Sequence, residues 1–88
     1  MSIEVRKPTD EEEAKMKACP IWEKEPSEFP WSYDQQETCL VIEGEVTVET
    51  AGGDVSFGPG DYVIFPKGLD CIWKVQKTIR KHYVFGDT

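Results

Sequence analysis

The sequence predicts an all-β domain made of short antiparallel strands. Turn-forming residues recur at intervals of roughly eight to twelve residues, a spacing typical of a β-sandwich or β-barrel. Between the turns, apolar and polar side chains alternate, as they do in strands that bury one face. The 88 residues permit one hydrophobic core, and aromatic residues make up 11% of them. We therefore expect a single compact domain.

The start of the chain differs in composition from the remainder. We interpret residues 1–19 as an N-terminal arm and residues 20–88 as the barrel. Within the arm, Thr9 is followed three residues later by Glu12, which is a capping-box pattern. A short helix is therefore expected over Asp10–Ala18, acidic at its start and lysine-bearing at its end.

Alternation and turn residues predict the strands. Pro30 and Gly44 fall between strands and are interpreted as breaks. A weak strand is expected over Ser2–Arg6. The remaining expected strands are Ile21–Lys24, Glu37–Ile42, Glu45–Thr50, Asp54–Phe57, Tyr62–Phe65, Cys71–Gln76 and Arg80–Phe85.

Charge and composition limit the classes of partner. Seventeen acidic and ten basic side chains give a net charge of -7, which repels phosphate backbones and anionic lipid, so we expect neither nucleic acid nor a membrane as partner. No secretory leader is recognisable, and three cysteines are an odd number, which favours reduced thiols in the cytoplasm. An organelle is the alternative if a transit peptide was removed. Exposed strand edges favour a homodimer.

Two spacings in the chain resemble the motifs of the cupin family. Glu37 stands seven residues before Gly44, as the glutamate of the first cupin motif does before its glycine. Gly60, Pro66 and Gly68 fit the second motif. The resemblance implies an antiparallel, jelly-roll-like cupin β-barrel preceded by the short arm and its helical turn.

The metal ligands of the family are mostly replaced. Cupins carry three histidines beside the glutamate, and those positions fall on Trp31, Tyr33 and Cys71, so that Glu37 alone remains. The usual histidine-based metal centre is therefore not expected. Zinc or another divalent metal is a less favoured alternative.

A narrower resemblance connects the chain to small single-domain cupins related to the cupin domain of (S)-ureidoglycine aminohydrolase. It is carried by Trp22-Glu23-Lys24, Glu37-Thr38-Cys39, Phe65-Pro66-Lys67-Gly68 and Trp73-Lys74-Val75. This resemblance implies an enzyme acting on a small nitrogenous or carbohydrate compound, with Glu37 as the candidate catalytic base.

Strand parity combined with the cupin resemblance predicts what faces the barrel interior. Glu37 and Cys39 fall on the inner face, and a buried carboxylate requires a partner. Lys81 has inward parity and is the expected counter-charge, with Tyr33 as a hydrogen-bond donor. His82, the only histidine, falls on the opposite face and is expected towards solvent. We predict a ligand pocket lined by Trp31, Tyr33, Glu37, Cys39, Cys71, Trp73 and Lys81.

Two questions stay open at this point. Cys39 and Cys71 fit buried apolar residues, a nucleophile, or ligands to a soft metal together with Glu37. The aromatic side chains fit a ligand wall or an ordinary core. The leading hypothesis is a small-molecule-binding cupin. An enzyme and a partner-binding scaffold are the alternatives, and a cavity beside Glu37 would favour binding over the scaffold.

Overall fold

The computed structural model describes residues 2–86, and Met1 and residues 87–88, at the ends of the predicted arm and barrel, lie outside them. The elements are β1 (Glu4–Arg6), α1 (Asp10–Lys17), β2 (Ile21–Lys24), β3 (Ser27–Ser32), β4 (Glu37–Thr50), β5 (Gly53–Phe57), β6 (Tyr62–Phe65) and β7 (Asp70–Phe85). All strand pairs are antiparallel. The predicted all-β fold is therefore confirmed. Across residues 2–86, no helix has the length and apolar character needed to span a bilayer.

Two long strands organise the barrel. β4 and β7 pair along most of their length, with β6 and then β1 added beside the first half of β4. β5 pairs with the second half of β4, while β3 and β2 pair with the first and second halves of β7. Each long strand thus belongs to both halves of the sheet, and the sheet curves around one apolar core.

The predicted break at Gly44 is wrong, because β4 continues through it. Gly44 has a φ of +104°, and the β4–β7 register shifts between Val41 and Val46. A Cβ at Gly44 would clash with the carbonyl oxygen of Thr78. Glycine therefore lets the two strands bend together at close range instead of ending. The expected separation of Cys71–Gln76 from Arg80–Phe85 is also wrong, because β7 runs from Asp70 to Phe85 without a break.

The sequence interpretation missed β3 because Pro30 lies inside it. Proline has no backbone N–H, which excludes it from central strands but not from an edge. β3 pairs with β7 alone, so it is an edge strand in which Pro30 lies opposite Ile72. The strand carries Phe29 and Trp31 towards the same side of the barrel, where both line a pocket.

The N-terminal segment packs onto the barrel of its own chain. β1 pairs with β6, and the helix begins with the predicted capping box between Thr9 and Glu12. Met16, the one buried residue of the helix, packs in a cluster with Leu40 and Tyr62. This cluster is separate from the barrel core. The division at residue 19 stays a prediction.

Candidate functional site

A buried ion pair lies at the base of the candidate site. Glu37 begins β4 and Lys81 lies in the second half of β7, and these residues are 3% and 4% exposed. The Lys81 Nζ donates to Glu37 Oε2 at 2.7 Å and to Cys39 Sγ at 3.3 Å. The counter-charge expected for the buried carboxylate is therefore present. Removing one partner of such a pair typically costs about 3–5 kcal/mol.

Electrostatics keep this lysine charged. Burial lowers the pKa of Lys81, but the Glu37 carboxylate beside the ammonium raises it, and the net result is a pKa above the ordinary value. Burial also raises the pKa of the Cys39 thiol, so that this cysteine stays neutral at physiological pH. The polar cluster at the base of the site thus consists of the Lys81 ammonium, the Glu37 carboxylate and the neutral Cys39 thiol.

Aromatic rings enclose the ammonium. Its Nζ lies 4.6 Å from the centre of the Trp73 ring and 4.9 Å from that of Trp22. The Trp73 ring stacks on Phe29 with centres 6.1 Å apart, and the Tyr33 ring stacks on Phe65 at 5.0 Å. Cation–π contacts of this kind stabilise a buried ammonium by roughly 0.5–2 kcal/mol.

Two hydrogen-bonding groups beside the ion pair lack a protein partner. The Tyr33 hydroxyl and the Trp73 Nε1 are buried and make no hydrogen bond within residues 2–86. The hydroxyl lies close enough to Glu37 that burial, and then this carboxylate, raise the pKa of Tyr33. The expected donation from Tyr33 to Glu37 nevertheless lacks hydrogen-bond geometry. Buried polar groups are nearly always paired with protein or with water, so a water molecule or a ligand can supply the hydrogen bonds of these two.

A pocket of about 220 Å³ opens above these groups. Its lining residues are Trp22, Phe29, Trp31, Tyr33, Glu37, Trp73, Lys81, Tyr83 and Phe85. The rings form most of its surface, and Trp31 is 46% exposed. Ligand pockets typically measure about 300–1,000 Å³, so this one is smaller than usual and has room only for a compact molecule.

The structure brings together five of the seven residues predicted to line the pocket. Cys39 and Cys71 are buried but are not among the lining residues, and the Cys71 thiol faces the Trp31 carbonyl oxygen at 3.5 Å. Burial raises the pKa of Cys71 to about 11. The ligand role of all seven residues stays a prediction.

Four lining residues were missed by sequence reasoning. Trp22 lies directly opposite Lys81 in the β2–β7 pair, and Tyr83 and Phe85 share the parity of Lys81 in β7. Parity along this strand was therefore a usable signal for Tyr83 and Phe85. Phe29 was missed with the rest of β3, although it alternates with Trp31 and Tyr33.

The residues at this site do not fit the metal that the cupin resemblance implies. Within residues 2–86, no group of three His, Cys, Asp or Glu side chains is placed to hold a metal ion. Two acceptors at this site, Glu37 Oε2 and Cys39 Sγ, both contact the Lys81 ammonium. A divalent cation beside that ammonium would meet direct charge repulsion.

A histidine and a second depression lie outside the pocket. His82 lies on the face opposite Lys81, as parity predicted, but it is half-buried, and its Nδ1 lies 3.0 Å from the Cys19 carbonyl oxygen. A wider depression of about 530 Å³ includes His82 and Ile42 in its lining. Within residues 2–86, none of the residues that line this depression has a buried side-chain nitrogen or oxygen without a hydrogen-bond partner.

The comparisons with known proteins agree with this fold. The model of the EutQ-like cupin domain matches residues 11–83. The structure of a DUF861 family protein from Thermotoga maritima has a TM-score of 0.89 and 48% identity, covering 96% of this chain and 99% of that one. No curated protein matches.

Two EutQ structures are more distant. The putative ethanolamine utilization protein EutQ from Salmonella typhimurium gives a TM-score of 0.69 at 27% identity, over 75% of this chain and 54% of its own. EutQ from Clostridium difficile gives 0.70 at 27% identity, over 75% and 52%. The matches thus span about half of either EutQ protein. The narrower resemblance to (S)-ureidoglycine aminohydrolase stays a prediction. With the family model covering most of its length, this chain belongs to the EutQ-like cupin family.

Proposed function

We propose that this cupin binds a small organic molecule in the aromatic pocket above Glu37 and Lys81, without a histidine-bound metal. The observation that carries the proposal is the pair of buried donors on Tyr33 and Trp73, which have no protein partner within residues 2–86 and belong to side chains that line an open cavity. A scaffold would gain by filling such a cavity and removing these groups, because an unpaired buried donor costs about 1–3 kcal/mol. A ligand that accepts their hydrogen bonds removes this cost.

The enzymatic alternative depends on Glu37 as a base. In the free protein its carboxylate is held by the Lys81 ammonium at 2.7 Å. That ammonium already satisfies the carboxylate, whereas the Tyr33 and Trp73 donors beside it have no protein partner within residues 2–86. Binding therefore has the stronger support. The cytoplasmic location and the homodimer remain expectations from the sequence.

Intrinsic fluorescence offers a direct test of ligand binding. The chain has three tryptophans, and Trp22, Trp31 and Trp73 all line the pocket. A fragment that enters the pocket should therefore change tryptophan emission, and two-dimensional NMR should show shifts centred on the same residues. We expect a screen of small aromatic and heterocyclic fragments to give saturable binding of this kind.

Two variants control for binding elsewhere. Trp31→Ala removes an exposed wall of the pocket and should weaken binding, with the other two tryptophans still reporting. Ile42→Ala removes a similarly exposed apolar side chain from the wider depression, and it should leave binding unchanged. A screen in which shifts cluster around Ile42, or in which no fragment changes the emission, would contradict the proposal.

A further inference from the structure

We infer that the pocket selects an uncharged, flat ligand that carries a hydrogen-bond-accepting oxygen. This inference rests on the proposed function and specifies the chemical class of its ligand. Three features of the described residues carry it: the charge balance at the base, the use of the aromatic faces by Lys81, and the chemistry of the two unpaired donors.

The charge balance disfavours an anion. The Lys81 ammonium and the Glu37 carboxylate contact each other at 2.7 Å, and their side chains are only 5% and 4% exposed. Their charges sum to zero, so an anionic ligand would add an uncompensated negative charge in a region that excludes water. The net charge of -7 over the whole chain adds to the repulsion.

The aromatic rings at the base of the pocket are not available to bind a cationic ligand. Rings that stack around an open space commonly bind quaternary ammonium groups. Here Lys81 already places its ammonium 4.6 Å from the Trp73 centre and 4.9 Å from the Trp22 centre. A second cation at this depth would lose those faces and meet the first one. Lys81 thus excludes cationic ligands, which aromatic rings in this arrangement would otherwise favour.

The unpaired groups specify the polar part of the ligand. The Trp73 Nε1 can only donate, and the Tyr33 hydroxyl has a proton to donate. Burial and the Glu37 carboxylate raise the pKa of Tyr33, so the hydroxyl keeps that proton at physiological pH. A carbonyl or ether oxygen is the kind of ligand atom that could accept from either group after a small movement of its side chain. The half-exposed ring of Trp31 and those of Tyr83 and Phe85 supply flat surfaces for the apolar part.

A matched series separates these ligand classes. Benzamide, benzoate and benzamidine share one ring and nearly one shape, but at neutral pH they are uncharged, anionic and cationic. Titrated against the full chain by tryptophan fluorescence at millimolar concentrations, benzamide should bind at least about tenfold more tightly than either charged analogue. Tight binding of benzoate or benzamidine would overturn the inference and leave the proposed function standing. If none of the three compounds changes the tryptophan fluorescence, the result would count against the proposed function itself.

A single-atom change tests the donor assignment. Tyr33→Phe removes only the hydroxyl, and it should weaken benzamide binding by about tenfold while leaving urea stability unchanged or higher. A purely structural hydroxyl would instead leave binding intact. As a second measurement on the unaltered chain, the Trp73 indole N–H resonance should move downfield when benzamide is added. An unmoved indole resonance, or a Tyr33→Phe chain that binds as tightly as the original, would refute the role of these donors.

Discussion

Replacing Lys81 by methionine should destabilise the fold far more than replacing a lysine at the surface. Lys81→Met keeps an unbranched apolar stem but removes the ammonium that Glu37 contacts at 2.7 Å. The carboxylate, only 4% exposed, then loses its counter-charge. Leaving one member of a buried pair alone costs about 3–5 kcal/mol. A chain of 88 residues is expected to have a total stability of about 4–13 kcal/mol, so the loss is a large fraction.

The chain supplies its own surface control for this experiment. Lys74 pairs with Glu49 at 2.8 Å, a distance similar to that of the buried pair, but these side chains are 36% and 44% exposed. Lys74→Met should therefore cost less than about 1 kcal/mol. Free energies of unfolding are measured by urea denaturation followed by circular dichroism, because the tryptophans report on the altered pocket itself.

The double variant decides whether the two charges act as a unit. Glu37→Leu combined with Lys81→Met removes both charges and fills their space with apolar atoms, an exchange that is often neutral or stabilising. We expect the double variant to be more stable than either single variant. Losses in the double variant that equal the sum of the two single losses would refute the reasoning, because independent residues add. Equal losses for Lys81→Met and Lys74→Met would refute it as well.

Three further outcomes test other parts of the structure. Gly44→Ala should cost more than about 2 kcal/mol in urea unfolding, whereas Gly53→Ala, also at positive φ but with open space around its Cβ, should cost less. Iodoacetamide at neutral pH should label Cys19 alone in the folded chain, since burial raises the pKa values of the other two thiols; mass spectrometry showing rapid triple labelling would contradict this. Arg6 lowers the pKa of Glu12 to about 2 from 4.5. That carboxylate contributes stability above its unfolded pKa and loses it as pH falls, so the advantage of the original chain over Glu12→Gln should vanish between about pH 4.5 and pH 2.

The buried pair was predictable because it depends on strand parity and on which strand face the cupin resemblance makes the interior. Glu37 and Lys81 lie on different strands, and each follows the period of two that separates inner from outer side chains. A charge on an inner face is costly, so an opposite charge with inward parity is its natural partner. Once the cupin resemblance made one face the interior, no distance information was needed to connect the two residues.

The pocket wall was less predictable because it depends on strand ends and bends. β3 was not predicted because it contains Pro30. A proline indicates the end of a strand unless the strand is known to lie at the edge of a sheet. Gly44 hid the continuity of β4, because a glycine at a bulge and a glycine in a turn look alike in sequence. Without β3, Phe29 had no strand position, and Trp31 and Tyr33 had to be assigned from the cupin motif alone.

The retention of Glu37 without its histidine partners has a physical explanation in Lys81. A carboxylate inside a barrel requires a positive partner, which a bound metal ion can supply and which an ammonium can supply equally well. Here the ammonium reaches the carboxylate oxygen at 2.7 Å, and the positions that the cupin motifs give to histidines hold Trp31, Tyr33 and Cys71. An ammonium differs from a metal ion in what it can bind. It donates three hydrogen bonds to acceptors, but it has no open coordination position for a ligand atom. The ion pair therefore keeps the interior electrically balanced without a metal ion, which is what the proposed binding of an uncharged ligand requires.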